Sequence, residues 1–213
     1  MYLPSHFEES RPDEIRRLVE RQPLGLLVTT GAQGPIANSV PFLLDPGGAG
    51  GPGVLRAHVA RANPVWRETV AGSPVLVVFQ GEDAYVSPSL YAAKREHGKV
   101  VPTWNYAMVQ ARGSFRAIED RDWLLRFVTR LTQRQEGGRA TPWAVTDAPV
   151  DYIETMLRAI VGIEIELTSL VGKWKLGQNR SAVDREGVVR GLEEDGRAGP
   201  AALAQLMRDA GVA

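Results

Sequence analysis

The chain has 213 residues, 44% of them hydrophobic and 23% charged. These are ordinary proportions for a soluble globular fold, and the length suffices to bury a large core without covalent staples. Lys and Arg number 25, as do Asp and Glu, so the chain lacks the positive excess usual in dedicated nucleic-acid modules. It contains no cysteine, which excludes disulfides, thiolate metal sites and cysteine nucleophiles and fits a reducing compartment. The segment 1–9 lacks the basic-then-apolar order of a signal peptide, and no apolar run reaches the length of a membrane span. A cytoplasmic protein is the expectation.

The first predicted element is a helix. Ser10 can cap it, Pro12 suits its first turn, and Asp13 and Glu14 favour its positive end. Ile15, Leu18 and Val19 form its apolar stripe, and Pro23 stops it. Residues 24–30 read as a strand, 31–34 as a turn and 35–44 as the return strand of a hairpin. The Gly/Pro-rich segment 45–53 reads as a loop. A strand over 54–59 follows, and Asn63-Pro64 starts a short helix through Trp66 and Val70. Residues 74–80 form a buried strand that resumes at 84–86 after a turn. Residues 106–118 form a long strand, bent at Gly113. A helix over 120–135 turns Trp123, Leu124, Phe127, Val128 and Leu131 to one face. A second helix covers 150–159, and 163–167 alternates as a half-buried strand. The tail beyond Arg180 is helical, with Leu203, Leu206 and Met207 on one face. Several strands with few long helices between them predict a mostly β (α+β) antiparallel barrel or sandwich.

None of the common catalytic signatures is present: no nucleophile elbow, phosphate-binding loop, zinc-protease helix or dinucleotide-binding glycine motif. His6, His58 and His97 are too scattered to suggest a metal site, and a lone strand histidine such as His58 reads first as structural. Four clusters carry more chemistry than a plain core requires. In the segment 58–64, His58, Arg61 and Asn63 stand where a strand leads into a helix start, a place suited to phosphate; a capped helix with a surface arginine is the plainer reading. In the second, Tyr85, Ser87, Ser89, Tyr91 and Lys94 flank Pro88, and Ser87 is placed to cap a helix begun by that proline. In the third, Trp104, Asn105 and Tyr106 offer flat faces and hydrogen-bonding groups to a planar ring, or make a buried aromatic corner. In the fourth, the stretch 171–180 gathers Lys173, Trp174, Lys175, Gln178, Asn179 and Arg180 after a strand, a set suited to phosphate with a stacking platform. Arg126, Arg130 and Arg134 share one helix face; they could touch DNA phosphates, although a solvated face is the simpler reading.

At these clusters the sequence resembles the PaiB family of bacterial negative transcriptional regulators, also described as an FMN-binding family. The matching segments are 1–4 with His6-Phe7, 58–64, Tyr85-Val86-Ser87-Pro88 with Tyr91, 101–106 and 175–180. They span nearly the whole chain in the family's order. The chain departs from the pattern at Gly177, where the family carries a Ser before Gln-Asn-Arg. The resemblance implies an FMN-binding split β-barrel over residues 1–180 with peripheral helices, and a helical C-terminal extension over 181–213. It implies a homodimer with FMN in the groove between subunits. Arg61 then looks like the phosphate ligand, with Asn38 and Ser39 on the neighbouring hairpin strand lining the flavin alongside His58 and Asn63. Trp104, Asn105 and Tyr106 would supply ring contacts, and Trp174, Lys175, Gln178, Asn179 and Arg180 would close the site.

Three functions follow as expectations. The chain is a flavin-binding transcriptional regulator in which FMN or another small molecule modulates DNA or partner binding. Alternatively, it is an FMN-dependent oxidoreductase or flavin reductase acting on a small molecule, with Tyr106, Tyr91 or His58 as proton donor. The third is a repressor without cofactor, although no helix-turn-helix is evident and Glu193, Glu194 and Asp195 would repel phosphate.

Overall fold

The computed structural model describes residues 1–32, 34–48 and 51–213; Gln33 of the predicted hairpin turn and Ala49 and Gly50 of the predicted loop lie outside them. The described strands are β1 (Glu8–Glu9), β2 (Leu24–Gly31), β3 (Gly34–Pro41), β4 (Leu43–Asp45), β5 (Val54–Ala60), β6 (Pro74–Val86), β7 (Thr103–Ile118) and β8 (Ile160–Lys175). The helices are α1 (Pro12–Arg21), α2 (Val65–Glu68), α3 (Ala93–Glu96), α4 (Arg121–Glu136), α5 (Val150–Arg158), α6 (Ala182–Glu194) and α7 (Ala198–Asp209). The strands form one sheet in the order β3-β2-β6-β7-β8-β5-β4, with β1 added to β8. The pairings of β2 with β3 and β6, of β5 with β4 and β8, and of β1 with β8 are antiparallel. Two compact units are built from discontinuous segments. The first holds residues 1–18, 80–109 and 171–213; the second holds 19–79 and 110–170.

In the second unit, β2 and β3 form the predicted hairpin, pairing from Leu24↔Pro41 to Gly31↔Gly34. Alternation along β5 buries Leu55, Ala57 and Val59 and sends Arg56 and His58 to the opposite face. That face is covered by α4, whose Phe127 meets the His58 ring edge to face at 5.7 Å. Asp120 caps α4 by accepting from the Trp123 backbone N–H at 2.6 Å. Trp123 in turn explains a glycine: a Cβ at Gly162 would lie 2.3 Å from its ring. β5 also approaches β3, so the sheet curls back on itself as a barrel requires.

In the first unit, β1 pairs with the end of β8 (Glu8↔Lys173, Glu9↔Gly172). Val188, Val189 and Leu192 of α6 and Leu203, Ala204 and Met207 of α7 are buried where these two helices pack together. Leu203 and Met207 of the predicted apolar face are core residues, while Leu206 is half-buried.

Several predicted boundaries change. β6 runs unbroken from Pro74 to Val86, with no turn before Ala84. Gly81 serves close packing there, since a Cβ would lie 2.8 Å from Leu18. β7 likewise continues through Gly113, where a Cβ would collide with the Glu166 carbonyl oxygen at 2.2 Å. The predicted return strand 35–44 divides at Phe42, whose N–H donates to the Pro23 carbonyl rather than to the sheet. β8 extends to Lys175, well past the predicted 163–167, beside the equally long β7, and β1 adds to its end. α2 covers only Val65–Glu68, so Val70 lies beyond it.

Candidate functional site

The residues singled out in the sequence fall into two groups, one in each unit. In the second unit, Asn38 and Ser39 on β3, His58 on β5 and Asn63 just beyond it line a cleft of about 340 Å³, with Ile160 of β8. Asn63 Nδ2 donates to Asn38 Oδ1 at 2.9 Å, and Asn63 Oδ1 accepts from the Val65 N–H at 3.0 Å. Asn63 thus spends its amide on joining β3 to the start of α2. The remaining atoms are less settled: Asn38 Nδ2 and His58 Nδ1 are buried without a hydrogen-bond partner. Burial holds the His58 pKa below its ordinary value, which favours the neutral ring. In native folds such atoms are ordinarily satisfied by ordered water or by a bound molecule.

Arg61 stands beside this cleft but is engaged by the protein. Its Nε donates to the Arg158 carbonyl at 2.8 Å, its Nη2 to the Ile160 carbonyl at 3.2 Å, and its Nη1 to the Glu119 carboxylate. The guanidinium ties the end of β5 to the α5–β8 junction, and Glu119 neutralises it. The Arg61 carbonyl also accepts from Trp66 Nε1 at 3.0 Å.

The first unit holds the other group. Trp104, Asn105 and Tyr106 lie at the start of β7, and Trp174 and Lys175 at the end of β8. Lys173 and Lys175 are two residues apart and share one face. Both approach the Tyr106 ring, at 5.5 and 5.9 Å from its centroid, and Lys173 also lies 5.7 Å from the Tyr2 ring. Lys173 Nζ donates to the Tyr2 carbonyl at 3.0 Å. Lys175 Nζ donates to Thr103 Oγ1 and the Trp104 carbonyl. Arg180 lies over the Tyr91 ring at 5.0 Å. Among the described residues none of these three cations makes an ion pair with a carboxylate. The Lys175 pKa is lowered first by burial, then by the charges of Lys173 and Arg180.

The turn 175–180 shows how the sequence places these cations. Gly177 adopts φ +84°, a left-handed conformation that glycine takes without strain. This accounts for glycine where the family pattern has Ser. Gln178 braces the turn, accepting from the Leu176 N–H at 2.8 Å and donating to the Trp174 carbonyl at 2.6 Å. Asn179 is exposed. Trp174 is a core residue at 4% exposure, packed so closely on Gly172 that a Cβ there would lie 2.7 Å from its ring; it presents no open stacking face. Asn105 is buried, its Nδ2 3.9 Å from Met207 Sδ. Trp104 is half-exposed and meets Tyr85 edge to face at 6.0 Å. Ser87 caps the 3-10 turn begun by Pro88, as expected, accepting from the Ser89 N–H at 3.2 Å.

The α4 arginines are largely committed as well. Arg130 pairs with Asp45, which also holds Arg56, and Arg134 pairs with Glu20 at 3.0 Å. Groups of His, Asp and Glu able to hold a metal ion are absent among the described residues. No helix among them is long and apolar enough to cross a membrane.

Sequence reasoning missed one feature. An apolar pocket of about 400 Å³ in the second unit is walled by α4, α5, the 3-10 turn Val145–Asp147 with its preceding residues, and His58 of β5. Its signal was the half-exposed set Trp143, Tyr152 and Met156, of which Tyr152 and Met156 share one face of α5 while Trp143 lies on a separate loop. His58 and Ile160 line both this pocket and the polar cleft.

An antiparallel split β-barrel with peripheral helices is the fold of flavin-binding proteins of known structure. The flavocytochrome Anf3 from Azotobacter vinelandii superposes with a TM-score of 0.58 at 13% identity, over 80% of this chain and 70% of that one. The FAD and heme binding protein from Mycobacterium smegmatis gives 0.58 at 19% identity, over 86% and 80%. The family described as "Putative FMN-binding domain" matches residues 1–169. The Bacillus subtilis protein named Protease synthase and sporulation protein PAI 2 is 33% identical over 209 residues, covering 98% of this chain and 97% of its own. An uncharacterized protein of Emericella nidulans is 33% identical over 246 residues, covering 99% and 98%. The chain belongs to this FMN-binding family, the PaiB family. FMN is the cofactor that membership implies, and residues of the first unit fit its phosphate: Lys173, Lys175 and Arg180 gather there with no ion-pair partner among the described residues.

Proposed function

We propose that the chain binds FMN, with its phosphate taken by Lys175, Arg180 and Lys173, and works as a cytoplasmic homodimeric regulator of the PaiB type. The observation that carries the flavin reading is the cation cluster of the first unit. Lys173, Lys175 and Arg180 gather with no ion-pair partner among the described residues, and like charges held close together repel. A dianionic ligand offsets that repulsion, and Tyr106 beside both lysines adds a flat face. Bound FMN would supply hydride or electron transfer, while the protein supplies placement and charge. The test is titration of the purified chain with FMN and with riboflavin, followed by flavin fluorescence. FMN is expected to bind at least about tenfold more tightly, the scale of a charge-assisted contact. Absence of saturable binding by either flavin refutes the cofactor; equal binding of both refutes the phosphate assignment.

The regulatory role is supported by the resemblance to the PaiB family of regulators alone. One observation favours the redox alternative: an apolar pocket sharing His58 and Ile160 with the polar cleft suits a small substrate beside a cofactor. If the flavin-loaded chain oxidises NADH or NADPH no faster than free FMN, the reductase reading fails.

A further inference from the structure

We propose that the pocket between α4, α5 and the turn Val145–Asp147 is a binding site for a neutral aromatic molecule of one or two rings that carries one hydrogen-bonding group. The size is right: about 400 Å³ falls within the range of small-molecule sites. The chemistry is right as well. Among the residues that line it, Val128, Trp143, Ile153, Met156 and Leu157 are apolar, and none is a lysine, arginine, aspartate or glutamate. An ionised ligand would lose its hydration there without gaining a counter-charge. Polar groups are few: the Thr132 and Tyr152 hydroxyls and the His58 imidazole. Burial lowers the His58 pKa, so its neutral ring keeps one donor and one acceptor.

The pocket is also held in shape before any ligand arrives. The Trp143 N–H donates to the Glu136 carboxylate at 3.1 Å, anchoring Trp143 to the end of α4. The Ala144 N–H donates to the Asp147 carboxylate at 2.9 Å, closing the turn that carries Val145. Trp123 stacks on Phe127 at 5.3 Å, and Phe127 supports His58. A recess with walls on α4, α5, the turn and β5 suits a small molecule better than the flat face of a second copy of the chain. Pre-organisation of this kind lowers the ordering cost of binding. The proposal stands on the pocket's own geometry and holds whether or not flavin binds.

The test is calorimetric titration of the flavin-free, full-length chain with 2-naphthol, naphthalene and naphthalene-2-sulfonate. 2-Naphthol is expected to bind once per chain, and the sulfonate at least about tenfold more weakly. Met156→Trp, which fills the pocket from a half-exposed position, should weaken 2-naphthol binding about tenfold or more. Trp143→Ala should weaken it comparably. His58→Phe preserves the ring shape, so 2-naphthol should fall to the affinity of naphthalene, a loss of about three- to tenfold. Absence of saturable binding overturns the proposal, as does binding unchanged by both Met156→Trp and Trp143→Ala. So does a dimer in sedimentation that Trp143→Asp dissociates while 2-naphthol fails to bind, since a second copy would then cover the opening.

Discussion

Arg61 and Lys175 both lie in cation-bearing segments where a β-strand ends, and their surroundings are opposite. Arg61 donates to two backbone carbonyls and to the Glu119 carboxylate. Lys175 donates to a hydroxyl and a carbonyl, and the charges nearest to it are Lys173 and Arg180. A guanidinium with its donors satisfied and its charge neutralised is part of the frame. An ammonium crowded by like charge is the proposed receptor for an anion. Residue type and position in a motif suggest phosphate binding for both; the partners separate them.

The largest expected effect tests the frame side. Arg61→Met removes a charged donor from two carbonyls and leaves Glu119 unpaired, so urea denaturation should show a loss of roughly 2–3 kcal/mol. The preference for FMN over riboflavin should stay the same. A stable Arg61→Met protein with a tenfold weaker FMN preference would move the phosphate to Arg61 and erase the distinction.

The receptor side predicts the reverse pattern. Lys175→Gln and Arg180→Gln should each reduce FMN affinity about tenfold and leave riboflavin unchanged, with stability altered by less than about 1 kcal/mol. The pH dependence has a definite sign. Because the Lys175 pKa is lowered from 10.5, its charge is lost at a lower pH than that of a free lysine. The FMN preference should therefore decline as alkaline pH is approached, and Lys175→Gln should flatten that decline.

His58 offers a smaller, pH-dependent effect. Its folded pKa lies below the ordinary 6.5 because burial penalises the charged ring. A depressed pKa contributes stability that is present above the unfolded value and is lost as pH falls through the folded value. The chain should thus lose stability on acidification below about pH 6.5. In His58→Phe that part of the loss should vanish in thermal melts taken across the same window. Parallel pH profiles for the two proteins would show that His58 charges freely.

Much of the fold was legible because its signals are local. Period-two alternation in β5 and β8, the Pro23 stop and the Ser87-Pro88 cap are each decided within a few residues. The missed boundaries depend on distant chain. β1 is two residues long and exists because it pairs with residues 172–173. β8 reaches Lys175 beside the distant strand β7, so a stretch that reads as a basic loop is an ordered strand with two lysines on one face. Gly81 and Gly113 resemble a turn and a bend, but they are glycine because other residues press against them. The site was legible by residue type and not by role. Asn38, His58 and Asn63 do share a cleft, whereas Trp174 is core and Gln178 braces a turn. Lys173 was legible as one cation of the 171–180 cluster, but its lack of a counter-charge depends on distant chain, which no sequence pattern displays.

The smallest effect concerns the arginine row of α4, which extends the comparison of engaged and free cations. Arg130 and Arg134 meet Asp45 and Glu20 across partly exposed pairs, each worth up to about 1 kcal/mol. Single Gln substitutions should alter stability by no more than that. Only Arg126 in the row has no ion-pair partner among the described residues. Three phosphate contacts would contribute a salt-dependence slope of roughly 2.7 to DNA binding, and one contact about 0.9. If the chain retains measurable DNA affinity, changing all three to Gln should reduce that slope by about 1 or less. A reduction near 3 would mean that the row leaves its carboxylates for DNA, and ion pairing within the folded chain would then be a poor guide to which cations are available.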